Sequence, residues 1–146
     1  MSEENKALIR RWFEEVWNKG RAEAIDEMLA ADGIVYGLGE AGVDVHGPAG
    51  FKPFFEKLRG AFPVFEVTIE DVIAEGDRVA ARWSARMTHK GDQLGVPATG
   101  RQVAVTGMSF VRIRGGQIVE GWNNWDIFSL LQQVGATAPP VTLLDS

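Results

Sequence analysis

The stretch QVAVTGMSFVRIRGGQIVEGWNNWD, from Gln102 to Asp126, decides the fold. Gly115-Gly116 is a two-residue hairpin signal, because the tight turns that match strand twist need positive φ, which glycine adopts without steric cost. It pairs a long strand, Gln102 to Arg114, with a second one, Gln117 to Asp126, as consecutive antiparallel neighbours. The same logic extends upstream. Arg78 to Thr88 alternates Val79, Ala81, Trp83, Ala85 and Met87, which predicts a strand with one buried face. Gly76-Asp77 turns it back onto a strand that begins after Phe65 and carries Val67, Ile69, Val72 and Ile73. Lys90 to Arg101, with three glycines and a proline, is too long for a tight hairpin and reads as a loop.

The first half has a different period. Leu8, Ile9, Trp12, Phe13, Val16 and Trp17 recur on one helical face behind Ser2, Glu3 and Glu4, and the helix should stop between Asn18 and Gly20. A short helix follows from Ala22 to Ala30, then a turn at Asp32-Gly33, a short strand from Ile34 to Leu38 and a loop from Gly39 to Gly47. Pro48 suits the start of a third helix with Phe51, Phe54, Phe55, Leu58 and Phe62 on its apolar face. Pro53 would delay its regular part to about Gly50, and Gly60 and Pro63 would end it. Ile127 to Val134 reads as a last short helix closed by Gly135. Helices first and long hairpin-linked strands later predict an α+β fold in which the N-terminal helices cover a curved, mostly antiparallel sheet and leave an apolar pocket between the layers. Residues 1–135 are read as one domain and residues 136–146 as a C-terminal tail.

Composition limits the function classes. A formal charge of −5 with dispersed basic residues lacks the cationic patch that nucleic acid requires. No run is apolar enough for a membrane span, so a cytoplasmic protein is expected. With no cysteine and two histidines, thiolate metal sites and thiol catalysis are excluded and a zinc centre has little material. No metal or cofactor is expected.

Thr88-His89-Lys90-Gly91, Gly95-Val96-Pro97-Ala98-Thr99-Gly100-Arg101, Gly116-Gln117-Ile118-Val119-Glu120 and Trp122 followed by Asp126 resemble the SnoaL-like polyketide cyclases. These belong to the NTF2-like superfamily of α+β cones. Phe13 to Gly20, His46-Gly47-Pro48 and Gly76-Asp77-Arg78-Val79 are similar to the same family, so the resemblance covers nearly the whole chain. It implies a cofactor-independent lyase or isomerase that closes a polyketide ring by aldol condensation, with an aspartate at the end of the last long strand as general acid and base. On the Trp-x-x-x-Asp pattern that aspartate is Asp126. Where such proteins often carry a histidine on the strand after the second helix, this chain has Tyr36.

Asp126, beside Trp122 and Trp125, fits a base whose pKa burial would raise, and equally a cap for the helix that follows. Asn124 and Trp122 share its strand parity, and Asn124 could donate to an enolate oxygen. Asn123 and Trp125 point the other way if no bulge intervenes. A two-residue loop at Gly115-Gly116 would align Asp126 with the Val105, Gly107 and Ser109 face, a three-residue loop with Thr106, Met108 and Phe110. His46, before the third helix, is a further candidate donor that also reads as a solvated or helix-capping histidine, whereas His89 reads as structural or exposed. Trp17, Tyr36, Phe55, Trp83, Met108 and Trp122 are the candidate substrate-binding residues. Most of them are also simple core candidates, yet five tryptophans suit walls for a flat, ring-rich ligand. The expected partner is a small apolar or aromatic molecule, with a homodimer formed through the open sheet face. Two alternatives stay open: an epoxide hydrolase, which needs a second acid and an arginine in the cavity, and a non-catalytic small-molecule-binding or dimerisation module.

Overall fold

In the computed structural model, which describes residues 2–39 and 43–136, helices and strands follow the expected order. α1 (Ser2–Trp12) runs into a wide π-helical turn (Phe13–Asn18) and is followed by α2 (Ala22–Met28), β1 (Leu29–Tyr36), β2 (Val45–His46) and α3 (Gly47–Ala61). Then come β3 (Val64–Glu75), β4 (Arg78–Thr88), β5 (Gln102–Arg114), β6 (Gln117–Trp125) and α4 (Ile127–Gln133). The strands form one sheet in the order β2-β1-β6-β5-β4-β3, antiparallel except where β1 meets β6. α1 packs on β3 and β4 and α3 on β1, so the helices cover one face of an α+β fold.

The π-helical turn has a packing cause. Leu8, Ile9, Trp12, Phe13, Val16 and Trp17 repeat every four residues, which a 3.6-residue period would rotate away from the sheet. Widening the last turn slows that drift, and all six are buried. Trp17 ends stacked on Phe65, ring centroids 5.2 Å apart, with Phe51, Phe54 and Phe55 around it.

Several boundaries differ from the sequence reading. β1 starts at Leu29, five residues before the expected Ile34, because Leu29 pairs with Ile118. Asp32-Gly33 is therefore an irregularity inside the strand, where the register shifts, rather than a turn before it. Part of the expected loop forms β2, whose Val45 and His46 pair with Val35 and Ile34. Residues 40–42 of that loop and residues 137–146 of the expected tail lie outside the described residues. α3 begins at Gly47 and carries Pro53 in an exposed position. α4 stops at Gln133, with Gly135 in the left-handed conformation expected of a helix end.

The pairing of β5 and β6 settles the register left open by the sequence. Arg114 pairs with Gln117 and Ile113 with Ile118, so the Gly115-Gly116 turn has two residues. The next pair is Arg112 with Glu120, which leaves Val119 as the extra residue of a β-bulge. Beyond the bulge the parity of β6 is reversed: Gly121, Asn123 and Trp125 oppose Val111, Ser109 and Gly107 on the helix-covered face. Trp122 and Asn124 oppose Phe110 and Met108 on the outer face. Asp126 donates its backbone N–H to the Thr106 carbonyl at 3.1 Å, the alignment that the sequence reading attached to a three-residue loop.

Gly107 lets the two indoles of the covered face meet. A Cβ there would lie 2.4 Å from the Trp83 ring and 2.7 Å from the Trp125 Cβ, whose rings sit 6.4 Å apart. Gly107→Ala is expected to cost about 1–3 kcal/mol by overpacking, measured as a lowered urea midpoint without a change in slope.

Candidate functional site

Between the helices and the covered sheet face lies a slot of about 730 Å³, counting its open mouth. One end is aromatic, formed by Trp12, Phe13 and Trp17 from the first helix, Phe51 and Phe54 from α3, and Phe65 from β3. The other end is the sheet floor, where Trp83, Ser109, Asn123 and Trp125 bring the polar atoms.

Those polar atoms form a directed chain. The Trp83 indole N–H donates to Ser109 Oγ at 3.1 Å, and the Ser109 hydroxyl donates to Asn123 Oδ1 at 2.7 Å. Asn123 Nδ2 then donates to the Tyr36 backbone carbonyl at 3.0 Å. A carbonyl can only accept, so this last bond fixes which end of the amide is nitrogen. Gly37 makes the approach possible: its φ is +78°, and a Cβ there would fall 2.0 Å from the Asn123 carbonyl oxygen. Trp125 is anchored nearby, its indole N–H donating to the Leu38 carbonyl at 2.9 Å. Among the described residues, counting donors and acceptors leaves one N–H on Asn123 Nδ2, one lone pair on Asn123 Oδ1 and one on Ser109 Oγ uncommitted. The floor can give one hydrogen bond and receive two, and among the described lining residues no carboxylate, imidazole, lysine or arginine is present.

The expected site residues divide between the two sides of the sheet. Trp17 and Trp83 line the slot. Phe55 is buried against Trp17, centroids 5.6 Å apart, in the layer behind the lining. Tyr36, Met108 and Trp122 are on the outer face, where Tyr36 stacks on Trp122 at 5.6 Å and Met108 is 60% exposed. Their predicted place in the pocket is corrected by the bulge for Trp122 and by the parity of β1 for Tyr36, since it is Val35 that faces inward. Asn124 is exposed on the outer face opposite Met108. His46 is exposed on β2 and makes no side-chain cap to α3. His89 is fully buried, with Nδ1 accepting the Thr99 backbone N–H at 3.1 Å, and it anchors the loop after β4 rather than the slot.

Asp126 is exposed and does not line the slot. Its carboxylate accepts the Ser129 backbone N–H at 3.0 Å as the N-cap of α4. The helix is held against the sheet by Gln133, whose side-chain amide bonds both backbone groups of Ala104 at 2.9 and 3.2 Å, in line with the end of β6. Of the lining residues the sequence reading selected only Trp17 and Trp83; among those it did not select are Ser109 on β5 and Gly121, Asn123 and Trp125 on β6. Their signal was the break in alternation at Ile118-Val119, two adjacent apolar residues that mark where β6 changes face.

The SnoaL-like polyketide cyclase family model matches residues 7–134. The chain belongs to this family. Aklanonic acid methyl ester cyclase DnrD of Streptomyces peucetius is 28% identical over 90% of this chain and 91% of its own. Among solved structures, AclR of Streptomyces galilaeus, described as a hydroxylase, superposes with a TM-score of 0.82 at 28% identity, covering 97% of this chain and 91% of its own. IdmH of Streptomyces antibioticus, described as a polyketide cyclase, gives 0.76 at 31% identity over 90% of this chain and 98% of its own.

Three substitutions separate floor from cap. Ser109→Ala leaves the Trp83 N–H and the Asn123 carbonyl oxygen without partners and is expected to cost about 1–3 kcal/mol in urea unfolding. Asp126→Ala should cost about 1 kcal/mol and Asp126→Asn much less, because asparagine caps a helix as well as aspartate.

Proposed function

We propose that this chain is a cyclase-type enzyme that binds a small, flat, polyketide-like ketone in the slot and uses the Asn123–Ser109 pair to hold the substrate oxygen at which negative charge develops. The observation that carries this reading is the directed chain from Trp83 through Ser109 to Asn123, ending in an uncommitted N–H on the floor of an otherwise apolar, aromatic-walled slot. Family membership and the similarity to a named ring-closing enzyme supply the reaction class.

An aldol closure is redox-neutral. A C–H beside a carbonyl loses its proton, the resulting enolate carbon attacks a second carbonyl carbon, and the new alkoxide regains a proton, so no atom is lost and no electron acceptor is needed. Charge moves from one oxygen to another, and a preorganised donor at the enolate stage lowers the barrier. Each donor in the chain polarises the next, which strengthens the terminal Asn123 N–H. Since no group among the described lining residues is a Brønsted base, this reading gives the slot a substrate whose reacting C–H is acidic in itself, flanked by two carbonyls, with water at the mouth carrying the proton.

In this reading Asp126 is a structural cap, because its carboxylate stands outside the slot and is engaged by Ser129. The epoxide-opening alternative asks for paired carboxylates with an arginine in the cavity, and neither lines the slot among the described residues. The test is turnover of aklanonic acid methyl ester, the compound for which the similar cyclase is named, with the closed product separated by chromatography. Asn123→Ala is expected to lose about 100-fold in kcat while keeping its fold, and Asp126→Asn to turn over close to the parent. Abolition by Asp126→Asn with an active Asn123→Ala would reverse the assignment. Oxygen incorporation in place of ring closure would move the chain to the hydroxylase type.

We also propose that a second copy covers the outer sheet face. Met108, Phe110 and Trp122 are 60%, 41% and 38% exposed there, and Tyr36 and Phe110 both pack on Trp122. Sedimentation velocity should show a dimer that Met108→Glu with Trp122→Glu converts to monomer, and a monomeric parent protein would refute the interface.

A further inference from the structure

Gly121 lies in the middle of β6, paired on one side with Val35 of β1 and on the other with Val111 of β5. A glycine in such a place needs a reason, because it costs backbone entropy and gives no side chain to the core. Two ordinary reasons fail. Its φ is not in the left-handed region, so the backbone does not demand glycine. Nor does a neighbour occupy the missing side chain's place: a Cβ at 121 would meet only Val111 at 3.7 Å and Val35 at 3.8 and 4.0 Å, ordinary contact distances. Gly107, one strand away on the same face, is the contrast, because there the Trp83 ring and the Trp125 Cβ fill the space that a side chain would take. The space at Gly121 faces the slot and stands beside Asn123, the next inward residue along the strand.

We propose that Gly121 is a specificity-determining residue: its bare backbone leaves a gap, between Val35 and Val111, that admits the edge of the ring bearing the held oxygen. This rests on the slot being the substrate site with Asn123 at its polar end. The ring edge enters at Gly121 and a ring carbonyl oxygen reaches the Asn123 N–H. The ligand class is a planar ring ketone. A side chain at 121 would lift the ring off the floor and draw its oxygen away from Asn123, while filling space the empty protein leaves open.

That combination gives the test a signature that a structural role would not. Binding of 1,8-dihydroxyanthraquinone is measured by calorimetry for the parent, Gly121→Ala, Gly121→Val and Gly107→Ala, together with each thermal unfolding midpoint. Gly121→Ala is expected to weaken binding about tenfold or more and Gly121→Val further, with the Gly121→Ala midpoint equal to or above the parent's. Gly107→Ala is expected to lower the midpoint. Parent-like affinity in Gly121→Val would overturn the assignment of Gly121 alone. No binding to the parent would overturn the slot reading and this inference with it. A lowered midpoint in Gly121→Ala with unchanged affinity would make the glycine a packing requirement, also against the proposal.

Discussion

One unpaired residue in β6, Val119, decides what the slot contains. A β-strand alternates faces with a period of two, so an extra residue exchanges the inward and outward sets of everything beyond it. Before the bulge Ile118 packs inward against Ile113; after it Gly121, Asn123 and Trp125 do. The directed hydrogen bonds from Trp83 to Ser109 to Asn123 exist because the bulge sets Asn123 opposite Ser109. The same shift sends Trp122 and Asn124 to the outer face and turns Asp126 toward the start of α4, where its carboxylate meets the Ser129 N–H. Cap, floor and outer aromatic patch are consequences of a single register change.

The electrostatic character of the slot follows. A carboxylate placed among Trp83, Trp125 and the valines of β5 would lose hydration that the apolar walls could not replace, and it would need a cation or several N–H donors to stay ionised there. The chain instead places a hydroxyl and an amide, both neutral and both held by neighbours on adjacent strands, at the bottom of that environment. Such a floor polarises a bound oxygen without demanding a buried charge. The aromatic end, with Trp17 stacked on Phe65 and framed by α3, gives ring-shaped area at low entropic cost. Family membership fixes the architecture; these particular side chains decide what chemistry it supports.

Much of the architecture was legible in the sequence because it rests on long periodic signals. The alternation from Val79 to Met87 and the Gly115-Gly116 turn placed β4, β5 and β6 correctly, and the helical stripe from Leu8 to Trp17 predicted the first helical segment. β1 was harder to read: Asp32-Gly33 looks like a turn locally, and only pairing of Leu29 with Ile118 and of Val35 with Gly121 shows that the strand runs through it. The site was legible in kind, as an aromatic-walled pocket, and in part by residue, through Trp17 and Trp83. Asn123 and Ser109 were hidden because their facing depends on a one-residue bulge, a tertiary feature whose trace in the sequence is two adjacent apolar residues. Asp126 offered two physical readings, base or cap, and the parity that separates them is set seven residues upstream.

The account turns on whether a ligand oxygen meets Asn123 or Asp126, and nuclear magnetic resonance of the uniformly ¹⁵N-labelled protein can answer it directly. On titration with 1,8-dihydroxyanthraquinone the side-chain amide signals of Asn123 should move downfield, while the backbone N–H of Ser129, which reports on the Asp126 carboxylate, stays in place. A shift of the Ser129 signal with an unmoved Asn123 amide would contradict the account.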